Sequence, residues 1–113
     1  MDLSFKEAQK KVDKWVGQFK EGYWPPLAMF ASLVEEVGEL GREINDMQGH
    51  KTKKPHSTSQ IDGELGDVVF SLICIANYFK IDLEQALMKT LSKYSIRDSN
   101  RWSDRARRDL IRK

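Results

Sequence analysis

In "SLVEEVGELGREIN", residues 32–45, Leu33, Val37, Leu40 and Ile44 recur three and four positions apart, and Phe30 extends the same stripe backwards. Only a helix turns that spacing to one side. The stretch also carries Glu35, Glu36, Glu39 and Glu43. At about 100° per residue, Glu36, Glu39 and Glu43 flank the apolar stripe and Glu35 points further toward solvent. Carboxylates beside a buried face repel one another and lose hydration, so a helix of this kind must pack its stripe and also find positive charge for its acids.

The rest of the chain supplies partners for such a helix. Apolar residues at 5, 8, 12, 15, 16 and 19 predict helix 1, opened by the Ser-x-x-Glu capping box of "SFKE" at 4–7. Trp15 and Phe19 belong to its apolar face and read as core. "GYWPP" at 22–26 ends it, and Pro26 suits the first position of helix 2, which runs to about residue 47. "GHKTKKPHSTS" at 49–59 has no period and reads as a basic loop in which His50 and His56 lack ligand spacing. Helix 3 spans about 60–79, and helix 4 follows the Asp82 cap to about 98, with Gln85 at its third position. No strand-like alternation occurs. The expected fold is all-α, a four-helix bundle-like domain over residues 1–102, followed by a frayed basic tail at 103–113.

Helix 3 repeats the acidic design. Ile61, Val68, Leu72 and Phe79 form its stripe, with Glu64 and Asp67 at the edge. Two helices thus carry acid pairs three residues apart, Glu36 with Glu39 and Glu64 with Asp67. If their stripes pack together, four carboxylates converge on one seam. Gly38, Gly41 and Gly66 each cost about 1 kcal/mol of helix propensity relative to Ala, which is explicable if backbones approach closely there. Hard oxygen donors without Cys or His select Mg²⁺, or Mn²⁺, and a cation so held can grip phosphate. A solvated acidic face explains one such helix; a matched pair of them argues for metal. A di-iron centre is strongly disfavoured, because it ordinarily needs Glu-x-x-His pairs and no His stands three residues after any of these glutamates.

"EEVGE" at 35–39 and "ELGD" at 64–67 together resemble the EExxE and ExxD signature of the MazG-type, all-α nucleoside triphosphate pyrophosphohydrolases. "LGDVVFSLICIAN", "IDLEQAL" and "KYSIR" extend the resemblance over about residues 10–102. It implies hydrolysis of an NTP or dNTP between the α and β phosphates. It also implies that Glu36, Glu39, Glu64 and Asp67 bind Mg²⁺ and serve catalysis, with Glu35 in a supporting role. Lys89, Lys93 and Arg97 lie four residues apart on helix 4, placed either to face triphosphate oxygens or to form a solvated basic stripe; the resemblance of "KYSIR" favours the first for Lys93 and Arg97 and not for Lys89. Ser71, one turn beyond Asp67, is a candidate for the nucleotide pocket or the core. Trp24 in the Pro-rich turn offers a ring for a base, or clamps the turn with Tyr23. Asn77, a polar residue in an apolar helix, needs partners, either substrate or protein.

Composition bounds the alternatives. With 19 Lys and Arg against 17 Asp and Glu, a net charge of +2 disfavours an extended nucleic-acid surface, so no stable nucleic-acid partner is expected. Cys74 is the one cysteine and reads as a packed thiol. No signal peptide or membrane span is visible, and a cytoplasmic protein is expected. Phe70, Ile73 and Cys74 lie outside the helix 3 stripe, and a short four-helix chain has difficulty covering both faces, so a homodimer or tetramer is expected. The competing function is a non-catalytic nucleotide sensor or helical interaction module.

Overall fold

A computed structural model describes residues 2–48 and 58–98. Residues 49–57, most of the stretch expected as a loop and including His50 and His56, and the tail expected at 103–113 lie outside the described residues. Four helices and, among the described residues, no strand make the chain all-α: α1 (Phe5–Gly17), α2 (Pro26–Met47), α3 (Thr58–Tyr78) and α4 (Leu83–Arg97). None of these helices is long and apolar enough to cross a membrane. Packing divides the chain into two units, Met1–Ile81 and Asp82–Lys113.

Local chemistry sets the helix ends. The Ser4 hydroxyl accepts from the Glu7 amide at 3.1 Å and caps α1. Pro25 and Pro26 start α2, where a missing amide hydrogen costs nothing. Asp82 caps α4 by accepting from the Glu84 and Gln85 amides at 2.9 and 3.2 Å. α3 closes with the Ile81 amide donating to the Ala76 carbonyl at 2.8 Å, and Lys80 takes the left-handed conformation (φ 58°) that this closure needs. A lysine there is strained relative to glycine.

In the first unit α3 packs against both α1 and α2, and its largest interface is with α2. Val16, Met29 and Cys74, one from each helix, form the buried cluster, with Val12, Tyr23 and Ile75 packed around it. The burial of α2 differs from the expected stripe. Phe30, Val37 and Ile44 are exposed, whereas Met29, Leu33, Glu36, Leu40, Glu43 and Met47 are buried or half-buried. On α3 the half-buried or buried line is Ile61, Glu64, Val68, Ser71 and Ile75, while Leu72 and Phe79 face outward. Both lines advance by alternating steps of three and four, the spacing of a close helix seam. The acids therefore do not flank the seam; Glu36 and Glu64 occupy it.

Two further expectations change. Ile73 and Cys74 are interior to the chain rather than available to a partner, because α3 is covered by α1 as well as by α2. A Cβ added at Gly38, Gly41, Gly63 or Gly66 would meet nothing within 4 Å, so close backbone approach inside the chain is not what these glycines serve.

Candidate metal and nucleotide site

At the α2–α3 seam, one carboxylate oxygen from each of Glu36, Glu64 and Asp67 comes within 4.8 Å of the other two. A line of seam positions on each helix delivers Glu36 and Glu64, and the next residue on the acid side of α3 delivers Asp67. Glu36 and Glu64 are half-buried and Asp67 is exposed, so the cluster opens to solvent on one side. Desolvation, followed by the charges of Asp67, Glu35 and Glu39, raises the Glu36 carboxyl above its ordinary range. Desolvation, then Asp67, Glu39, Glu36 and Glu43, raises Glu64. The neighbouring acids thus make Glu36 and Glu64 harder to ionise, a strain that a bound cation would relieve. An all-oxygen donor set of this kind fits Mg²⁺ or Mn²⁺.

The other acids are placed less directly. Glu39 turns to Arg42, with an ion pair of 3.0 Å, and stands outside the three-oxygen group although its charge reaches both Glu36 and Glu64. Glu35 is exposed and acts on Glu36 only through its charge. Glu43 and Asp46, further along α2, are half-buried and buried. Asp46 gave no signal in the sequence, since it lies outside both acidic motifs.

A cavity of about 550 Å³ opens beside the acids, and Glu36 and Asp67 form part of its lining. Trp15, Phe19, Tyr23, Trp24 and Phe70 wall it, Val16, Met29 and Cys74 close the apolar side, and Ser32 and Ser71 supply hydroxyls. The rings brace one another edge to face: Trp15 lies 5.0 Å from Phe19 and 5.8 Å from Phe70 between centroids. Trp15 and Phe19, expected in the core, are about half exposed and line the cavity instead. Their density was the missed signal, since four of the aromatics fall between residues 15 and 24. Cys74 lies against this space with its thiol pushed up by burial, so it is a poor nucleophile.

Ser71 and Trp24 thus both line the cavity; Ser71 is buried and Trp24 is 60% exposed. Asn77 is not among the lining residues. Its amide nitrogen donates to the Gln9 carbonyl at 3.0 Å and to the Tyr23 hydroxyl at 2.9 Å, and its oxygen accepts from Gln9 at 2.9 Å. In the second unit Arg97 directs its fork at Asp98, with two contacts of 2.9 Å, and packs on Tyr94 at 4.5 Å. Lys93 lies 5.1 Å from the same ring, and Lys89 is exposed.

Comparison with known proteins agrees with this architecture. The model of the MazG nucleotide pyrophosphohydrolase domain matches residues 25–102. YpjD of Bacillus subtilis is 47% identical over 103 residues, which covers 90% of this chain and 93% of that protein. The nucleoside triphosphate pyrophosphohydrolase/pyrophosphatase MazG of Thermotoga maritima is 24% identical over 102 residues, covering 82% of this chain and 40% of that protein. The crystal structure of YpjD from Bacillus subtilis superposes with a TM-score of 0.77 at 47% identity, covering 83% of this chain and 97% of the other. A Bacillus-conserved MazG protein, described as a nucleotide pyrophosphohydrolase, superposes with a TM-score of 0.75 at 47% identity, covering 88% and 98%.

Proposed function

Because this chain belongs to the MazG nucleotide pyrophosphohydrolase family, we propose that it hydrolyses a nucleoside or deoxynucleoside triphosphate to the monophosphate and pyrophosphate, with Mg²⁺ as cofactor. The observation that carries this reading is the junction of two unlike environments. A cluster of three carboxylates stands beside an aromatic cavity, and two of them, Glu36 and Asp67, form part of its lining. A nucleoside triphosphate has the same division, with a polyanionic tail at one end and a flat ring at the other.

Glu36, Glu64 and Asp67 would hold the cation, and Glu39 would join them by turning from Arg42. Mn²⁺ fits the same donors. When bound, the cation neutralises charge on the phosphate oxygens and lowers the pKa of water it binds. The protein's own part is to orient and to move a proton. Hydrolysis breaks one phosphorus–oxygen bond between the α and β phosphates; water supplies hydroxyl to one fragment and a proton to the other. A carboxylate not committed to the cation accepts the proton of the attacking water, and Glu35, beside Glu36 and exposed, supports that transfer. Trp24 and its neighbours pack on the base, Ser71 lines the nucleoside end, and the apolar walls exclude water from it.

We also propose that a second copy of the chain covers the outward face of α2, giving a homodimer or a pair of dimers. Leu27 (82% exposed), Phe30, Val34, Val37 and Ile44 lie on that face without cover, and Gly38 and Gly41 leave it open to a neighbouring backbone.

A panel of ordinary and damaged dNTPs with Mg²⁺, read by separating monophosphate and pyrophosphate products, tests the activity. Conversion of at least one member to both products is expected. Binding without turnover across the panel would make the chain a nucleotide sensor instead.

A further inference from the structure

Tyr23 reaches the cavity from the turn between α1 and α2, where no helix fixes the direction of its side chain. Its position is set at the hydroxyl. The hydroxyl donates to Asp13 Oδ1 at 2.7 Å and accepts from Asn77 Nδ2 at 2.9 Å. Asn77 is itself tied to α1 by the Gln9 carbonyl at 3.0 Å and by Gln9 Nε2 at 2.9 Å, and the same Nε2 reaches the Ile81 carbonyl at 2.8 Å. Two helices, α1 through Asp13 and α3 through Asn77, therefore converge on one phenol. Its ring packs on the Val16, Met29 and Cys74 cluster, and the residue after it, Trp24, forms part of the same cavity wall. Burial first, and then the Asp13 hydrogen bond, push the phenol up to about 12, so it remains a hydrogen donor throughout the neutral range.

We propose that Asp13 and Asn77 are positioning residues for nucleoside recognition: clamping the Tyr23 hydroxyl between them sets the wall formed by Tyr23 and Trp24, against which the base packs. This rests on the nucleotide-hydrolase reading of the cavity. Neither residue touches the cavity, so their effect on binding passes through Tyr23. A network that served only to staple α1 to α3 would change stability and leave the base contact untouched.

The test titrates dAMP, dCMP, dGMP and dTMP into the full chain without metal, followed by the fluorescence of the tryptophans at the cavity. KM and kcat for the matching triphosphates with Mg²⁺ are measured beside it. Tyr23→Phe keeps the ring and removes the clamp; it is expected to weaken the tightest monophosphate about fivefold and to raise KM about as much, the effect of one partly buried hydrogen bond. Its kcat is expected to stay within about twofold of the parent, since the acids are untouched. Asn77→Ala and Asp13→Ala are expected to do the same, whereas Asp13→Asn, which keeps an acceptor oxygen, restores the parent affinity. If Asn77→Ala fails to fold, Tyr23→Phe decides alone. Lower melting temperatures with unchanged affinity and KM in these variants, while Trp24→Ala weakens binding, would overturn the positioning role and leave the pocket standing. No fluorescence response and no turnover with any nucleotide would overturn the pocket itself, and the positioning role with it.

Discussion

The two sides of α2 follow opposite rules. The side toward α3 runs Met29, Leu33, Glu36, Leu40, Glu43, Met47, placing two carboxyl groups in line with four apolar side chains. The outward side carries Leu27, Phe30, Val34, Val37 and Ile44, apolar and uncovered in the single chain. Stability alone would exchange them, since charge belongs in water and hydrocarbon in the interior. On the proposed function the inversion has a reason on each side: the inner acids hold a charged ligand, and the outer apolar face meets another protein surface.

The comparison breaks most sharply at the inner side. Glu64→Gln keeps the shape of the side chain and removes its charge. It is expected to lower kcat for the triphosphate substrate about a thousandfold, roughly 4 kcal/mol of transition-state stabilisation. The same substitution should raise the melting temperature of the metal-free protein. The sign follows from the raised carboxyl: its folded pKa exceeds the unfolded one, so its contribution is fully present below the unfolded carboxylate range and is lost as pH rises through the folded pKa. At neutral pH the ionised group therefore works against the fold, and glutamine ends that opposition. A destabilised metal-free variant would show that Glu64 serves packing rather than ligand binding.

The outer side is sharpened by a smaller change. Val34→Glu places a charge amid the exposed apolar residues and should raise the subunit dissociation constant about a hundredfold, near 3 kcal/mol. Sedimentation across a concentration series measures it. A parent protein that is monomeric at all concentrations would remove the proposed partner surface.

Much of this was legible beforehand because the signals are local. Ser4, Pro26 and Asp82 mark helix starts through backbone hydrogen-bond chemistry that needs no tertiary information. The paired spacings of Glu36 with Glu39 and Glu64 with Asp67 identified the acidic region, because two helices with the same unfavourable pattern are hard to explain separately. The rotation of the α2 stripe was not legible. A hydrophobicity argument assumes that acids avoid the seam, and Glu36 and Glu64 are in it. The aromatic cavity was also hidden: Trp15, Tyr23 and Phe70 come from α1, a turn and α3, and their meeting depends on how those segments pack. Asn77 announced only that it needed partners; Gln9 and Tyr23, far away in sequence, had to be seen.

The most direct measurement is a calorimetric titration of Mn²⁺ into the metal-free chain and into its Glu36→Gln variant. Glu36 touches the cavity and the carboxylate cluster alike. The account predicts a saturable site in the parent that weakens at least about tenfold in the variant. Equal binding by both proteins, or none by either, would contradict it.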